Sequence, residues 1–285
     1  MSDRDPDTVW TTVIRPKGHW FDLRLGELWS YRDLVMLLMR RDFVAQYKQT
    51  ILGPLWHVVQ PLLTTVTFTI VFGRIARIPT DSLPPFLFYL SGTVLWGYFS
   101  NSFTKTSNTF VSNANIFGKV YFPRLAVPVS TLGSSLIGFL VQLAIFIAFL
   151  VYFMIRGAPV DPNLWVLATP LLLLLMAGLG LGGGVILSSL TTRYRDLSNV
   201  VAFGVSLLMY MTPIVYPLST VPPAYRMIVL ANPLTPIVEA FRFAFLGVGT
   251  VSAAHLTYTA IFAVALLACG VLIFNRIERT FMDTV

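Results

Sequence analysis

Arg40-Arg41-Asp42-Phe43-Val44-Ala45-Gln46-Tyr47-Lys48-Gln49-Thr50-Ile51-Leu52-Gly53-Pro54-Leu55-Trp56 is where formal charge stops and hydrocarbon begins. The 25 residues from Gln49 to Gly73 carry no formal charge. At about 1.5 Å per helical residue, that run covers the roughly 30 Å apolar thickness of a bilayer. A membrane-embedded, all-α chain is the expected fold class.

Upstream of this boundary, Leu28, Tyr31, Leu34, Val35, Leu38 and Met39 share one side of a helical wheel, with Asp33 and Arg40 opposite. The pattern predicts an amphipathic helix along the membrane face over 28–50. Ser30 is expected to cap its start, with Asp33 three residues on and Trp29 and Leu34 as a hydrophobic staple. Gly53-Pro54 predicts a break before the first span, because the residue before proline is pushed out of helical dihedrals. Residues 1–27 mix charge with Pro6, Pro16, Gly18 and Gly26 and read as a loosely ordered lead. They contain no apolar run, so the first span is expected to serve as its own insertion signal.

Composition points the same way. The chain of 285 residues is 55% hydrophobic and 12% charged, with a mean hydropathy of +0.73. Soluble domains carry about a quarter charged residues. The net charge of +7 lies in loops between apolar runs, which argues against a nucleic-acid face. Cys269 is alone inside an apolar run, excluding an internal disulfide or a cysteine metal site.

Further charge-free intervals at 82–104, 125–155, 162–192, 197–225 and 243–275 are each long enough to span. Residues 227–238, between Arg226 and Glu239, are too short to cross and carry Pro233 and Pro236. Together with Pro217, Pro222 and Pro223 they predict a re-entrant helical hairpin over about 222–248, its irregular backbone shielded by protein. Six spans are expected, over about 54–73, 84–104, 125–155, 163–191, 197–217 and 251–275, followed by a tail over 277–285. Lys and Arg divide fifteen against five between the two sets of loops. The positive-inside rule then places both termini in the cytoplasm.

Chemistry is conspicuous mainly for what is missing. No ionisable group sits at a span centre, and His57 and His255 lie near span starts, so gradient coupling is poorly supported. The sequence has no Gly-x-x-x-x-Gly-Lys-Ser/Thr phosphate loop. The glycine-rich run 178–184 lies in an apolar span and predicts close helix packing. Tyr89, Trp96 and Phe103 recur every seven residues, with Phe99 near the same side. Such rings suit stacking on sugars, with Ser100 and Asn101 offering hydrogen bonds; interfacial belts and ordinary helix packing are the alternatives.

The opening stretch followed by Gln60-Pro61-Leu62 resembles the type-2 ABC-exporter permeases, the membrane subunits of bacterial O-antigen, capsule and teichoic-acid exporters. The likeness continues through Lys119-Val120-Tyr121-Phe122-Pro123-Arg124, Tyr194-Arg195-Asp196-Leu197, Thr212-Pro213-Ile214-Val215-Tyr216-Pro217 and Asn232-Pro233-Leu234-Thr235-Pro236. It implies a homodimer in the bacterial inner membrane, paired with two copies of a separate ATPase. That assembly would export a polyprenyl-diphosphate-linked polysaccharide. No cofactor is expected in this chain, with ATP and Mg bound by the partner; a smaller lipid or drug is the alternative substrate. On this footing Tyr89, Trp96, Phe99 and Phe103 are expected to line the conduit. Arg40, Arg41, Asp42, Lys119 and Arg124 are expected to couple to the ATPase, and Pro222, Pro233 and Pro236 to frame an outer gate.

Overall fold

The computed structural model describes residues 25–113, 116, 122–194 and 196–281, and every regular element among them is helical. Among the described residues, α1 (Leu25–Ser30) and α2 (Arg32–Tyr47) precede the break. The predicted cap is not formed. The Ser30 hydroxyl donates back to Gly26 O at 3.0 Å, closing α1, and α2 starts after Tyr31. Trp29 is exposed, so no staple forms.

The predicted break is present as a 3-10 turn over Gly53–Leu55, with Gly53 at φ +52°, where a side chain would be strained. Beyond it runs α3 (Trp56–Phe68), which loosens into a π-helical segment at Thr69–Ile75. Next come α4 (Pro85–Ser107), a single turn α5 (Thr109–Ser112) and α6 (Ala126–Ile155). Then follow α7 (Thr169–Arg193), entered through a 3-10 turn at Leu164–Ala168, and α8 (Leu197–Met211). The described residues end with α9 (Pro223–Ala231), α10 (Thr235–Leu246) and α11 (Ala253–Phe281).

Helices stand in all the charge-free intervals, but they are not equivalent. Among the described residues, four stretches are long and apolar enough to cross a membrane: Gly53–Ile75, Ala126–Ile155, Leu164–Thr191 and Ala253–Phe274. The pair α9 and α10, bent by 98°, makes five if counted as one span. α4 is long enough but dilutes its apolar residues with serine, threonine and glycine, and α8 has only 15 residues.

The core explains that composition. α4 is the central helix, packed against α3, α6, α7, α8 and α10, and its small polar residues let neighbours approach. The glycine run of α7 does the same. A Cβ on Gly182 would lie 2.8 Å from the backbone of Leu266 and Leu267 in α11, and one on Gly270 would lie 2.8 Å from Gly182 O. Gly183 makes room for the Phe103 ring and Gly184 for Thr106.

Candidate functional site

Two clusters stand out, one at each end of the bundle. At the end where α3 begins and α4 finishes, the apolar stripe of α2 faces protein. Leu28, Tyr31, Leu34, Val35 and Leu38 pack with Phe110 of α5, Ala126 and Val127 at the start of α6, Val185 of α7 and Phe274 of α11. Met39 enters a notch at Gly133 of α6, where a Cβ would clash with its Cε and Sδ. The other side of the helix leaves Met36, Leu37 and Val44 exposed.

Polar contacts tie the same helix down. The Arg41 guanidinium donates to Asp42 Oδ1 at 2.7 and 2.9 Å and to Asn113 Oδ1 at 3.1 Å, joining α2 to the end of α5. Lys105 Nζ donates to Gln46 Oε1 at 3.1 Å. Across the Gly53 break, the Tyr47 hydroxyl meets the His57 ring, which rests over Gly138 of α6. Arg40 is exposed and Arg124 buried; Lys119 lies outside the described residues.

The opposite end is built around a buried cation. Arg242 of α10 is 1% exposed and its guanidinium carbon stands 3.8 Å from the centroid of the Phe88 ring. It donates to Pro213 O at 2.5 Å, to Ile214 O at 2.8 Å and, more weakly, to Ser91 Oγ at 3.4 Å. Glu239, one turn earlier and 4% exposed, stands 3.9 Å from Arg242 Nη1 and accepts from Thr250 N and Oγ1. Gly92 clears the space, since a Cβ there would lie 2.9 Å from Ile214 Cγ2 and 3.1 Å from Arg242 Nη2. A charge buried this deeply is tolerable only with such a full set of partners.

Around this pair the bent helices are stitched to their neighbours. Asn232 Nδ2 donates to Thr212 Oγ1 at 2.8 Å and Asn232 Oδ1 accepts from Leu234 N, fixing the bend between α9 and α10. Tyr258 and Thr259 of α11 donate to Ala231 O and Pro233 O. Pro223 and Pro236 begin their helices at positions where no amide is needed, and Pro222 precedes α9. α9 itself is largely exposed, with Tyr225, Met227 and Ile228 uncovered.

Between the two ends runs the aromatic face of α4. Trp96, Phe99 and Phe103 form a continuous ladder with centroids 5.4 and 5.5 Å apart. Trp96 and Phe103 are half-buried and Phe99 is buried; Phe103 also lines an apolar groove of about 260 Å³ with Leu187, Leu190, Val201 and Leu208. Tyr89 belongs to a separate cluster with Phe68, Phe72 and Phe88, and is fully buried.

In the sequence Glu239 and Arg242 only interrupt apolar runs, and neither stands among the expected site residues. The available signal was an i, i+3 pair of opposite charge between Pro236 and Gly247, in a helix otherwise free of charge.

An all-helical bundle with several membrane-length helices and a charge-locked bent pair defines a multi-pass membrane protein. The chain belongs to the ABC-2 type transporter family, whose pattern matches residues 33–246. It is 30% identical over 253 residues to an O-antigen export system permease protein RfbA of Klebsiella pneumoniae, covering 88% of this chain and 94% of that protein. It is 28% identical to the protein of the same name from Myxococcus xanthus, covering 91% and 98%. The Polysialic acid transport protein KpsM of Escherichia coli is 24% identical, covering 88% and 95%.

Proposed function

We propose that this chain is the permease subunit of an ATP-driven exporter that moves a polyprenyl-diphosphate-linked polysaccharide out across the bacterial inner membrane. The observation that carries this is the nearly end-to-end likeness to the O-antigen export permeases. The subunit works as a homodimer with two copies of a separate ATPase, which binds ATP and Mg. Each subunit contributes six spans, those of α3, α4, α6, α7, α8 and α11, with both termini cytoplasmic.

In this arrangement α2 lies at the cytoplasmic surface. Arg40, Arg41, Asp42 and Lys119 contribute the ATPase-facing charges, with the buried Arg124 behind them, and exposed Met36 and Leu37 beside them supply apolar area. The bent pair α9 and α10 is a re-entrant hairpin at the outer end, with Pro222, Pro233 and Pro236 fixing the shape of the gate. The conduit follows the face of α4 bearing Trp96 and Phe103, with Phe99 and Tyr89 supporting it from behind. Partly exposed rings give a moving polymer weak, repeated contacts, and a closed outer end spares the ion gradients.

A strain lacking this gene and its ATPase partner tests the proposal. Restoring both should return long glycan to the cell surface, and restoring either alone should leave the lipid-linked glycan inside. Surface glycan unchanged by the loss would overturn it. The apolar groove at Phe103 favours a second substrate class, a smaller lipid or drug. That class predicts resistance or lipid-composition phenotypes with glycan export intact.

A further inference from the structure

Outside the clusters already described, polar side chains gather around a narrow space open at Gln46 and Asn101 and closed toward Gln142. Where α2, α3, α4 and α6 meet, Gln46, His57, Tyr98, Lys105, Ser135 and Gln142 surround a cavity of about 10 Å³. Two of these residues carry a buried atom with no hydrogen-bond partner among the described residues: Ser135 Oγ and Gln142 Oε1. Their residues are 7% and 8% exposed, and Gln142 lies midway along α6. The Gln142 oxygen faces Gly97, where a Cβ would come within 3.2 Å of it.

A buried acceptor and a buried hydroxyl are each costly unless something satisfies them. A space of this size, at the lower limit for a single water, with several polar groups converging on it, meets the requirements of a buried water. Other occupants fit less well. The Lys105 ammonium at the cavity edge repels a metal ion or other cation, and a phosphate-sized anion exceeds the space. Lys105 Nζ, donating to Gln46 Oε1, ties α4 to α2 at that edge.

We propose that the junction of α2, α3, α4 and α6 holds an ordered water that donates to Gln142 Oε1, the other polar groups of the cavity wall completing its bonds. The site lies inside one subunit and does not depend on the identity of the transported substrate. It gives the joint between the surface helix and the bundle a small polar ligand beside the direct Lys105–Gln46 and Tyr47–His57 contacts.

X-ray radiolytic labelling of the full chain in lipid nanodiscs tests this, because a trapped water generates hydroxyl radicals beside it. Phe139, which lines the cavity, is as buried as Phe146 and Phe241, which do not. Oxidation of Phe139 should exceed that of both reference rings several-fold. Gly97→Ala, whose methyl occupies the space, and Gln142→Leu, which removes the acceptor, should each bring Phe139 down to the reference level and lower Tyr98 oxidation below its wild-type value. The proposal is overturned if wild-type Phe139 reacts no faster than Phe146 and Phe241. It also fails if the excess survives both substitutions, and the wild-type comparison decides even where a variant folds poorly.

Discussion

The two ends of this bundle hold charge in opposite ways. Near α2, Arg41 and Asp42 form a half-exposed pair with one further contact to Asn113, while Lys105 and Gln46 bridge helices at the surface. At the bent pair, Glu239 and Arg242 are withdrawn from solvent and every strong contact of the arginine goes to protein. Exposed pairs are screened and contribute about 0 to 1 kcal/mol each, which leaves a helix free to exchange partners. A buried, fully coordinated cation locks the elements around it, because breaking any contact strands a charge. The comparison assigns adaptability to the α2 end and fixed geometry to the bent pair.

The largest effect should follow from attacking the lock. Arg242→Ala leaves Glu239 buried without its partner and frees two carbonyls of the turn after α8. A loss of about 3 to 5 kcal/mol is expected for one member of a buried pair, read as a lowered unfolding midpoint in detergent. Replacing both members, Glu239→Gln with Arg242→Met, should recover much of that loss. Recovery is the sharper test, since it separates an uncompensated charge from lost volume. An Arg242→Ala protein as stable as wild type would erase the distinction between the two ends.

That lock shows where the sequence was legible and where it was not. Apolar runs of about 20 residues declare helices because a bilayer leaves backbone groups no other partner, so the positions of the long helices could be read directly. Gly53-Pro54 declared its break for equally local reasons. Arg242 could not be read that way. Its partners are carbonyls 28 and 29 residues upstream, and nothing local distinguishes such an arginine from a loop residue. Ser30 failed differently: its hydroxyl can cap the following helix or donate to the preceding turn, and only the path of α1 decides. Heptad spacing placed Tyr89, Trp96 and Phe103 on one side of α4. Which neighbour covers each ring depends on depth, with the π-helical segment enclosing Tyr89 and the glycines of α7 accommodating Phe103.

A second effect, of middle size, concerns the bundle between the ends. Gly270→Leu pushes a side chain into the backbone of Gly182, which cannot swing aside, and overpacking of this kind costs about 1 to 3 kcal/mol. Gly133→Ala meets only the end of the Met39 side chain, which is flexible, so the cost should stay below about 1 kcal/mol. Adding Met39→Ala to Gly133→Ala should restore docking of α2, measured as protection of residues 32–47 from hydrogen exchange. Equal costs for the two glycines would mean that α2 is held as rigidly as the central helices.

The smallest effect on stability, and the most informative about coupling, belongs to Arg41. Its pair with Asp42 is between adjacent residues and half exposed, so Arg41→Ala should cost no more than about 1 kcal/mol of folding stability. If these charges face an ATPase, the same substitution should weaken copurification of that partner far more than it weakens the fold. A rim charge lost from an interface mainly slows association, and salt screens it with a Debye length of about 8 Å at physiological ionic strength. Raising salt should therefore reduce wild-type binding toward the level of Arg41→Ala and change the variant little. Arg242→Lys supplies the contrast: ATPase binding should match wild type at every salt concentration while the unfolding midpoint falls, because one ammonium cannot reproduce the fork of bonds to Pro213 and Ile214. A variant at Arg41 that binds its ATPase with wild-type strength and wild-type salt dependence would assign Arg41 to membrane headgroups and leave docking to the apolar side of α2.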